Sequence, residues 1–327
     1  MRDPKLILPV LLIGAGCALV GWFAWPFLAP PSSPYRYVQV AAGPVSDFEV
    51  LDLAEDLAFD ASEFEIRQLP DDAVLARLLL GDGDDQSRVL MRWESLVGEP
   101  LLTVTGEIAD VAEVGRAIDV HATQTSIVLA WWDTSRQLEL FSDARVIFDT
   151  HLSRPVIVPD EWRALADTIV ESERTFWRTP EKNALVNESF SAFAEALMLS
   201  PEIGVEKLHE LGGDRFVLVL HALDAFKLGA MAPDRYAIGY KDFADSGQTH
   251  GLIAKVKDWL EGEGYDSYLA TRHGDRTVRV FYLMDEVSEA ALLSRLVPFT
   301  TSDPSAGVSN LRLVFQKGNY WVYLAER

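Results

Sequence analysis

The sequence predicts an α/β protein: one N-terminal transmembrane helix, a smaller acidic α+β unit, then a doubly wound, largely parallel sheet. Three observations predict it. Residues 6–28 (LILPVLLIGAGCALVGWFAWPFL) run 23 positions without a charge. Residues 126–131 (SIVLAW) and 215–221 (RFVLVLH) are continuous apolar runs of strand length, the pattern of parallel strands covered on both faces. Helix start signals and short turns precede and follow such runs, which is the order of βαβ units.

The apolar run is long enough to cross a hydrocarbon core about 30 Å thick as a helix. Trp22, Phe23, Trp25 and Phe27 cluster at its far end, where an aromatic belt meets the headgroups, and Pro26, Pro30 and Pro31 stop it. Arg2 and Lys5 flank the near end, so that end stays cytoplasmic and the bulk of the chain lies outside, on the periplasmic face of an inner membrane. A cleaved signal peptide is the alternative, but its apolar stretch is shorter and ends at small residues. The expected divisions are 1–28 anchor, 29–46 proline- and serine-rich linker, 47–120 acidic unit and 121–327 α/β domain.

Within the acidic unit, residues 70–80 read as a helix, with Pro70 at its start and Asp71 and Asp72 in the first turn. Residues 81–85 (GDGDD) read as a turn, and 88–93 and 100–105 as strands. In the larger unit, strands are expected at 126–131, 144–148 and 215–221, and helices at 159–170, 189–199 and 201–211. The last has Ser200 as N-cap, Pro201 at the first helical position and Gly212–Gly213 beyond. A helix near 251–261, strands at 267–271 and 277–283, a helix at 288–296 and a hairpin around Lys317, Gly318 and Asn319 complete the chain.

Charge and cysteine content exclude several functions. The net charge of −21 repels nucleic acid and anionic headgroups and favours a basic partner, although solubility alone also explains it. Cys17 is the one cysteine and lies in the apolar run, so the chain has no internal disulfide and no multi-thiolate metal site. The six histidines show no HxH or HxxxH spacing, and no phosphate loop, dinucleotide fingerprint or nucleophile elbow occurs. No metal, no cofactor and no catalysis of its own are therefore expected.

The segment 130–137 (AWWDTSRQ) is the main candidate site. Two adjacent tryptophans at a strand end point to opposite faces, and ligands of open α/β sheets bind beyond the carboxyl ends of strands. Trp131, Trp132, Asp133, Thr134, Ser135 and Gln137 are the candidate ligand or partner residues. One tryptophan is expected in the core and the other in a cleft wall. The competing reading is that Asp133 or Thr134 caps a short helix and both tryptophans pack. His151 and His221 fall on the same sheet edge, and Arg235 and Tyr240 belong to 229–243, read as a long loop over it. Surface or satisfied core side chains are the alternative for each.

Trp-Trp-Asp, with Gln four residues after the Asp, resembles the WWDYG motif in the soluble domain of oligosaccharyltransferase catalytic subunits, over residues 125–222. That resemblance implies acceptor-peptide contact at Trp131, Trp132 and Asp133. The family's Tyr-Gly is Thr134–Ser135 here, and its multi-helix membrane domain has no counterpart, which argues against glycan transfer. Over nearly the whole chain the sequence is similar to the HaoB family of hydroxylamine oxidation proteins. The likeness rests on the anchor and ectodomain layout, LAWWDTSRQLEL, KLGAMAPDRYAIGYKDF at 227–243 and the GNYWVY ending. It implies an accessory role in hydroxylamine oxidation, with hydroxylamine oxidoreductase or another periplasmic protein as partner. The alternative is a peptide-binding module or enzyme using the Trp131–Trp132–Asp133 edge.

Overall fold

In this computed structural model the described residues are 15–16, 19–23, 32–48, 59–82, 88–97, 107–122, 126–152, 158–179, 184–245, 247, 249–272, 276–300 and 308–327. Most of the apolar run at 6–28 lies outside them, as do the strand expected at 100–105, most of the turn at 81–85 and the turn at 273–275. Among the described residues no helix is long and apolar enough to cross a membrane.

Among the described residues the chain is mixed α/β, with three sheets. The first is an antiparallel meander of β1 (Tyr35–Pro44), β2 (Asp60–Gln68), β3 (Val74–Asp82) and β4 (Arg88–Ser95), in that order. Part of the stretch read as a linker is therefore strand β1. The helix expected at 70–80 is not formed. Residues 69–71 turn and β3 follows, with Leu78 and Leu80 on one face and Leu79 on the other, all fully buried. Leucine and alanine favour helix only weakly, and burial of both faces of a strand outweighs that preference.

The central sheet has the order β11-β12-β7-β5-β6, from β5 (Ile127–Ala130), β6 (Arg145–Val146), β7 (Arg215–His221), β11 (Leu311–Lys317) and β12 (Tyr320–Glu326). β5 pairs parallel with β6 and β7, whereas β12 runs antiparallel to both β7 and β11. The expectation of a largely parallel sheet therefore needs correcting: a terminal hairpin completes a three-stranded parallel core. Gly318, at φ 53°, turns that hairpin. A Cβ there would collide with the Asp110 carboxylate, so both conformation and space require glycine.

The alternation of β5, β7 and β12 feeds two cores. Leu129, Leu218, Leu220 and Tyr323 face helices α4 (Ala184–Met198), α5 (Pro201–Gly212) and α6 (Ala222–Met231). Val128, Val217, Val219 and Val322 share a core with α1 (Ile108–His121) and with Leu79 and Met91 of the meander. The helix expected at 159–170 begins as a 3-10 turn, Asp160–Leu165, and continues as α3 (Ala166–Phe176) against the meander's other face. In α5 Pro201 sits at the N-terminus and Gly213, at φ 81°, ends the helix.

The third sheet, β8-β10-β9, comprises β8 (Ile238–Ala244), β9 (Tyr268–Arg272) and β10 (Thr277–Leu283). β8 overturns the long loop expected at 229–243, because Tyr240 pairs with Phe281 and Phe243 with Val278 inside a ladder. Helix α7 (Thr249–Glu263) covers this sheet, and the helix expected at 288–296 is two short ones, α8 (Glu286–Ala290) and α9 (Leu292–Leu296).

Candidate functional site

β5 leads into the short helix α2 (Trp132–Leu138), which returns the chain to β6 on one side, while β7 lies on β5's other side and leads into α6. The carboxyl ends of β5 and β7 thus flank a topological switch point, where ligands of α/β sheets gather. Asp133 stands at the end of β5. Asp224 and Lys227, three residues apart on one face of α6, stand at the end of β7.

These three charges meet in the interior. Lys227 Nζ lies 2.7 Å from Asp133 Oδ2 and 3.4 Å from Asp224 Oδ1, with the three side chains at most 8% exposed. The longer contact lacks hydrogen-bond geometry, leaving Asp224 Oδ1 without a hydrogen bond. Asp224 Oδ2 accepts from the His221 amide at 2.8 Å, and His221 Nδ1 accepts from the Leu223 amide at 3.1 Å, a capping box that starts α6. Asp133 Oδ1 accepts from the Thr134 amide at 2.7 Å.

Two carboxylates and one ammonium leave a deficit of positive charge. Burial, followed by the nearby Asp133, pushes the Asp224 carboxyl up to about 6 against the pull of Lys227. Burial opposes the Lys227 charge, but the Asp133 and Asp224 carboxylates outweigh it and hold its pKa above the ordinary value. Burial and Lys227 press His221 down to about 3, so this ring is neutral. Tyr320, whose ring centre is 4.4 Å from that of His221, is held protonated by burial and the two carboxylates.

The two tryptophans diverge. Trp131 is 1% exposed and packs edge-on against Phe190, with Lys227 Nζ 5.6 Å from its ring centre. Trp132 is half-buried and meets His151, which stacks on Trp177 with ring centres 4.1 Å apart. Burial, then the charge of Arg136, keeps His151 neutral far below its ordinary pKa. Trp177 Nε1 donates to Glu173 Oε2 at 2.8 Å, and the Tyr35 and Tyr37 hydroxyls donate to Glu173 Oε1 at 2.5 and 2.7 Å. Three donors thus satisfy one buried carboxylate.

The remaining candidates divide. Ser135 is buried and its hydroxyl donates to Ala130 O. Gln137 Nε2 donates to Leu90 O at 2.7 Å, and Arg136 donates to Arg88 O, so α2 covers main-chain acceptors of edge strand β4. Arg235 is exposed and pairs with Glu195. Tyr240 lies under the Arg279 guanidinium, 4.7 Å from its ring centre. The structure brings Trp131, Asp133, Thr134 and His221 together, but Arg235 and Tyr240 stand on other elements. Lys227, Asp224, Glu173 and Trp177 were missed. Two charges three apart inside ALDAFKLGAM, an otherwise apolar helix, were a signal for the first pair. Among the described residues no group of His, Cys, Asp and Glu could hold a metal ion.

A family model described as HaoA-associated protein HaoB matches residues 1–324. No curated protein matches the chain.

Proposed function

This chain belongs to the family of HaoA-associated proteins HaoB, and from that premise we propose that it is a membrane-anchored periplasmic protein that docks on, assembles or stabilises the hydroxylamine oxidoreductase HaoA. The carrying observation is the family match over almost the entire chain, whose description states an association. The role is accessory, with no reaction of its own. A second observation supports the tether. Residues 19–23 are helical, and Leu19, Val20, Trp22 and Phe23 are 58–79% exposed. Such an outward apolar surface is stable in lipid and costly in water.

The test is affinity purification of the full chain from native membranes. The oxidoreductase is expected among the captured proteins, and a deletion strain is expected to contain less assembled or less active oxidoreductase. Capture without the oxidoreductase, together with unchanged activity in the deletion strain, sinks the reading. A reporter active only outside the cytoplasm, fused after Arg327, tests the orientation. A soluble mature form beginning near residue 30 replaces the anchor with a signal peptide.

A second reading assigns ligand binding to the edge formed by Trp131, Trp132 and Asp133. The observation in its favour is the Asp133–Lys227–Asp224 cluster at the switch point. Because that cluster is enclosed, this reading requires a peptide or small ligand to part α2 from α6. Protection of Lys227 from amine labelling, unchanged by any added peptide, counts against it.

A further inference from the structure

Five oxidisable rings stand in an unbroken file through the meander side of the molecule. Trp132 reaches Trp177 through the His151 ring, whose centre is 4.5 Å from the first and 4.1 Å from the second. Trp177 is 6.4 Å from Tyr37, Tyr37 is 6.0 Å from Tyr35, and Tyr35 is 5.6 Å from Trp162, all between ring centres. Trp177 and Tyr35 are buried, whereas Trp132 and Trp162, at the two ends, are partly exposed. An electron can therefore pass from ring to ring across short, densely packed gaps. Tyrosine and tryptophan are the side chains whose rings give up one electron most readily in a chain without a usable thiol, and Cys17 is the one cysteine here.

The proton side is what sets this file apart. A buried carboxylate needs donors, and serine, asparagine or arginine would serve. The three donors to Glu173 are instead the O–H groups of Tyr35 and Tyr37 and the N–H of Trp177, each on a ring that sheds a proton when it is oxidised. Burial, then the Glu173 charge, holds both phenols protonated far above the ordinary range, so no phenolate forms beforehand. An electron leaving first would strand a positive charge in a poorly solvated interior. Proton and electron must leave together, and the acceptor, Glu173 Oε1, already lies 2.5 Å from one hydroxyl and 2.7 Å from the other. A second cluster provides the contrast. Trp259 and Tyr282 lie 5.3 Å apart and Tyr265 stacks on Tyr282 at 4.2 Å, yet among the described residues neither hydroxyl is bonded to a carboxylate. Close rings occur twice, and the shared proton acceptor only with Tyr35, Tyr37 and Trp177.

We propose that this file is a one-electron relay: an inorganic radical oxidant takes an electron at Trp132, and the radical comes to rest on the Tyr35–Tyr37 pair. The balance closes inside the chain. The oxidant gains one electron and Trp132 becomes a radical cation. Trp177 passes an electron across His151 to Trp132, and its Nε1 proton moves to Glu173 Oε2. Tyr37 then gives an electron to Trp177 and its hydroxyl proton to Glu173 Oε1, while Oε2 returns the first proton to Nε1. The products are the reduced oxidant, a neutral tyrosyl radical and a protonated Glu173, with both tryptophans restored. A phenol that hands its proton to a carboxylate is easier to oxidise than an indole, which sets the direction. No substrate bond is made or broken. The relay goes beyond the docking function above and does not depend on it.

The test uses the full chain in detergent and azide radicals made by pulse radiolysis. An azide radical takes one electron from an accessible indole and becomes azide. Wild type is expected to convert tryptophanyl into tyrosyl radical in a phase whose rate is independent of protein concentration and slows in deuterated water. Tyr35→Phe/Tyr37→Phe and Trp177→Phe keep a ring at each position, and each is expected to lose that phase. Tyr265→Phe/Tyr282→Phe, in the cluster without a carboxylate, is expected to keep it. Thermal melts establish that the variants fold. High-field EPR of freeze-quenched wild type needs no variant, and is expected to show a hydrogen-bonded tyrosyl radical. A phase that survives Tyr35→Phe/Tyr37→Phe or Trp177→Phe overturns the proposal. So does its loss in Tyr265→Phe/Tyr282→Phe, the lack of a solvent isotope effect, or an EPR signal from tryptophanyl or unbonded tyrosyl alone. None of these measurements involves the oxidoreductase, so their failure leaves the docking reading intact, and a failed capture of that enzyme leaves the relay intact.

Discussion

Lys227 and Asp133 are 94 positions apart in the chain, yet Nζ and Oδ2 lie 2.7 Å apart inside the protein. This pair ties the end of β5 to the helix that follows β7. Replacing Lys227 with methionine leaves two buried carboxylates facing each other without a cation. Removing one partner of a buried pair costs about 3–5 kcal/mol, and that loss is expected by urea denaturation. Adding Asp133→Asn to Lys227→Met should recover part of it, since one uncompensated charge disappears. A single-variant loss under about 1 kcal/mol means the pair is solvated in solution.

Asp224 gives a pH signature. Its folded pKa, about 6, lies above its ordinary 3.8, so between those values the folded chain binds the extra proton. The stability this group contributes is present below pH 3.8 and is lost as pH rises through 6. Asp224→Asn keeps an acceptor for the His221 amide and removes the charge. Its stability relative to wild type should therefore climb between pH 4 and 7, by on the order of 2–3 kcal/mol. A flat difference across that window contradicts the buried carboxyl.

His151 acts with the opposite sign. Its folded pKa is depressed, so the stability it contributes is present above the ordinary value of 6.5 and is lost as pH falls. His151→Phe preserves a ring between Trp132 and Trp177 but cannot take a proton. Near pH 7 the variant should sit close to wild type. Below pH 6.5 wild type should lose up to about 1.4 kcal/mol per pH unit relative to it. Parallel stability curves for the two proteins between pH 5 and 7 contradict a buried neutral imidazole.

Glu173→Ala strands three buried donors, on Tyr35, Tyr37 and Trp177. Each unpaired donor costs about 1–3 kcal/mol, partly relieved by water entering the space, so a total loss of roughly 3–5 kcal/mol is expected. Tryptophan fluorescence should report the change through Trp177. A variant as stable as wild type shows that these donors find other acceptors.

Trp131→Ala empties the contact with Phe190 and should cost about 3–5 kcal/mol, as deletion of a large core ring does. Gln137→Ala removes the bond to Leu90 O together with a buried side chain and should cost about 1–3 kcal/mol. Denaturation midpoints compared at constant m-value distinguish them. If the order reverses, the α2 contact to β4 carries more of the fold than the core does.

Legibility followed local chemistry. The apolar runs at 126–131 and 215–221 became adjacent parallel strands because burial on both faces demands such composition. Pro201 at the start and Gly213 at φ 81° bound α5 through backbone preference, whereas Ser200 occupies the N-cap position without a side-chain bond to the helix. Residues 70–80 misled because VLARLLL satisfies a helix as well as a strand, and only Leu79 against Met91 on one face and Leu78 against Ile169 on the other decide. The hairpin's place beside β7 is a long-range choice that no local pattern encodes. That one tryptophan of the pair would enter the core was readable, but not that it would be Trp131, because β5 ends at Ala130 and Trp132 already belongs to α2. That Asp133 would meet Lys227 was not readable either, because pairing across 94 residues depends on how β5 and β7 are ordered.

The bonds from Arg136 and Gln137 to β4 end on main-chain oxygens of Arg88 and Leu90, not on side chains. Every residue type except for its side chain offers the same carbonyl. The joint therefore places an uneven demand on sequence drift. At position 90 many residues can replace leucine without breaking the link, while at 137 even glutamate fails, having no N–H to donate. Across divergent copies of this chain, the helix side of the joint should stay fixed in residue type while the strand side wanders.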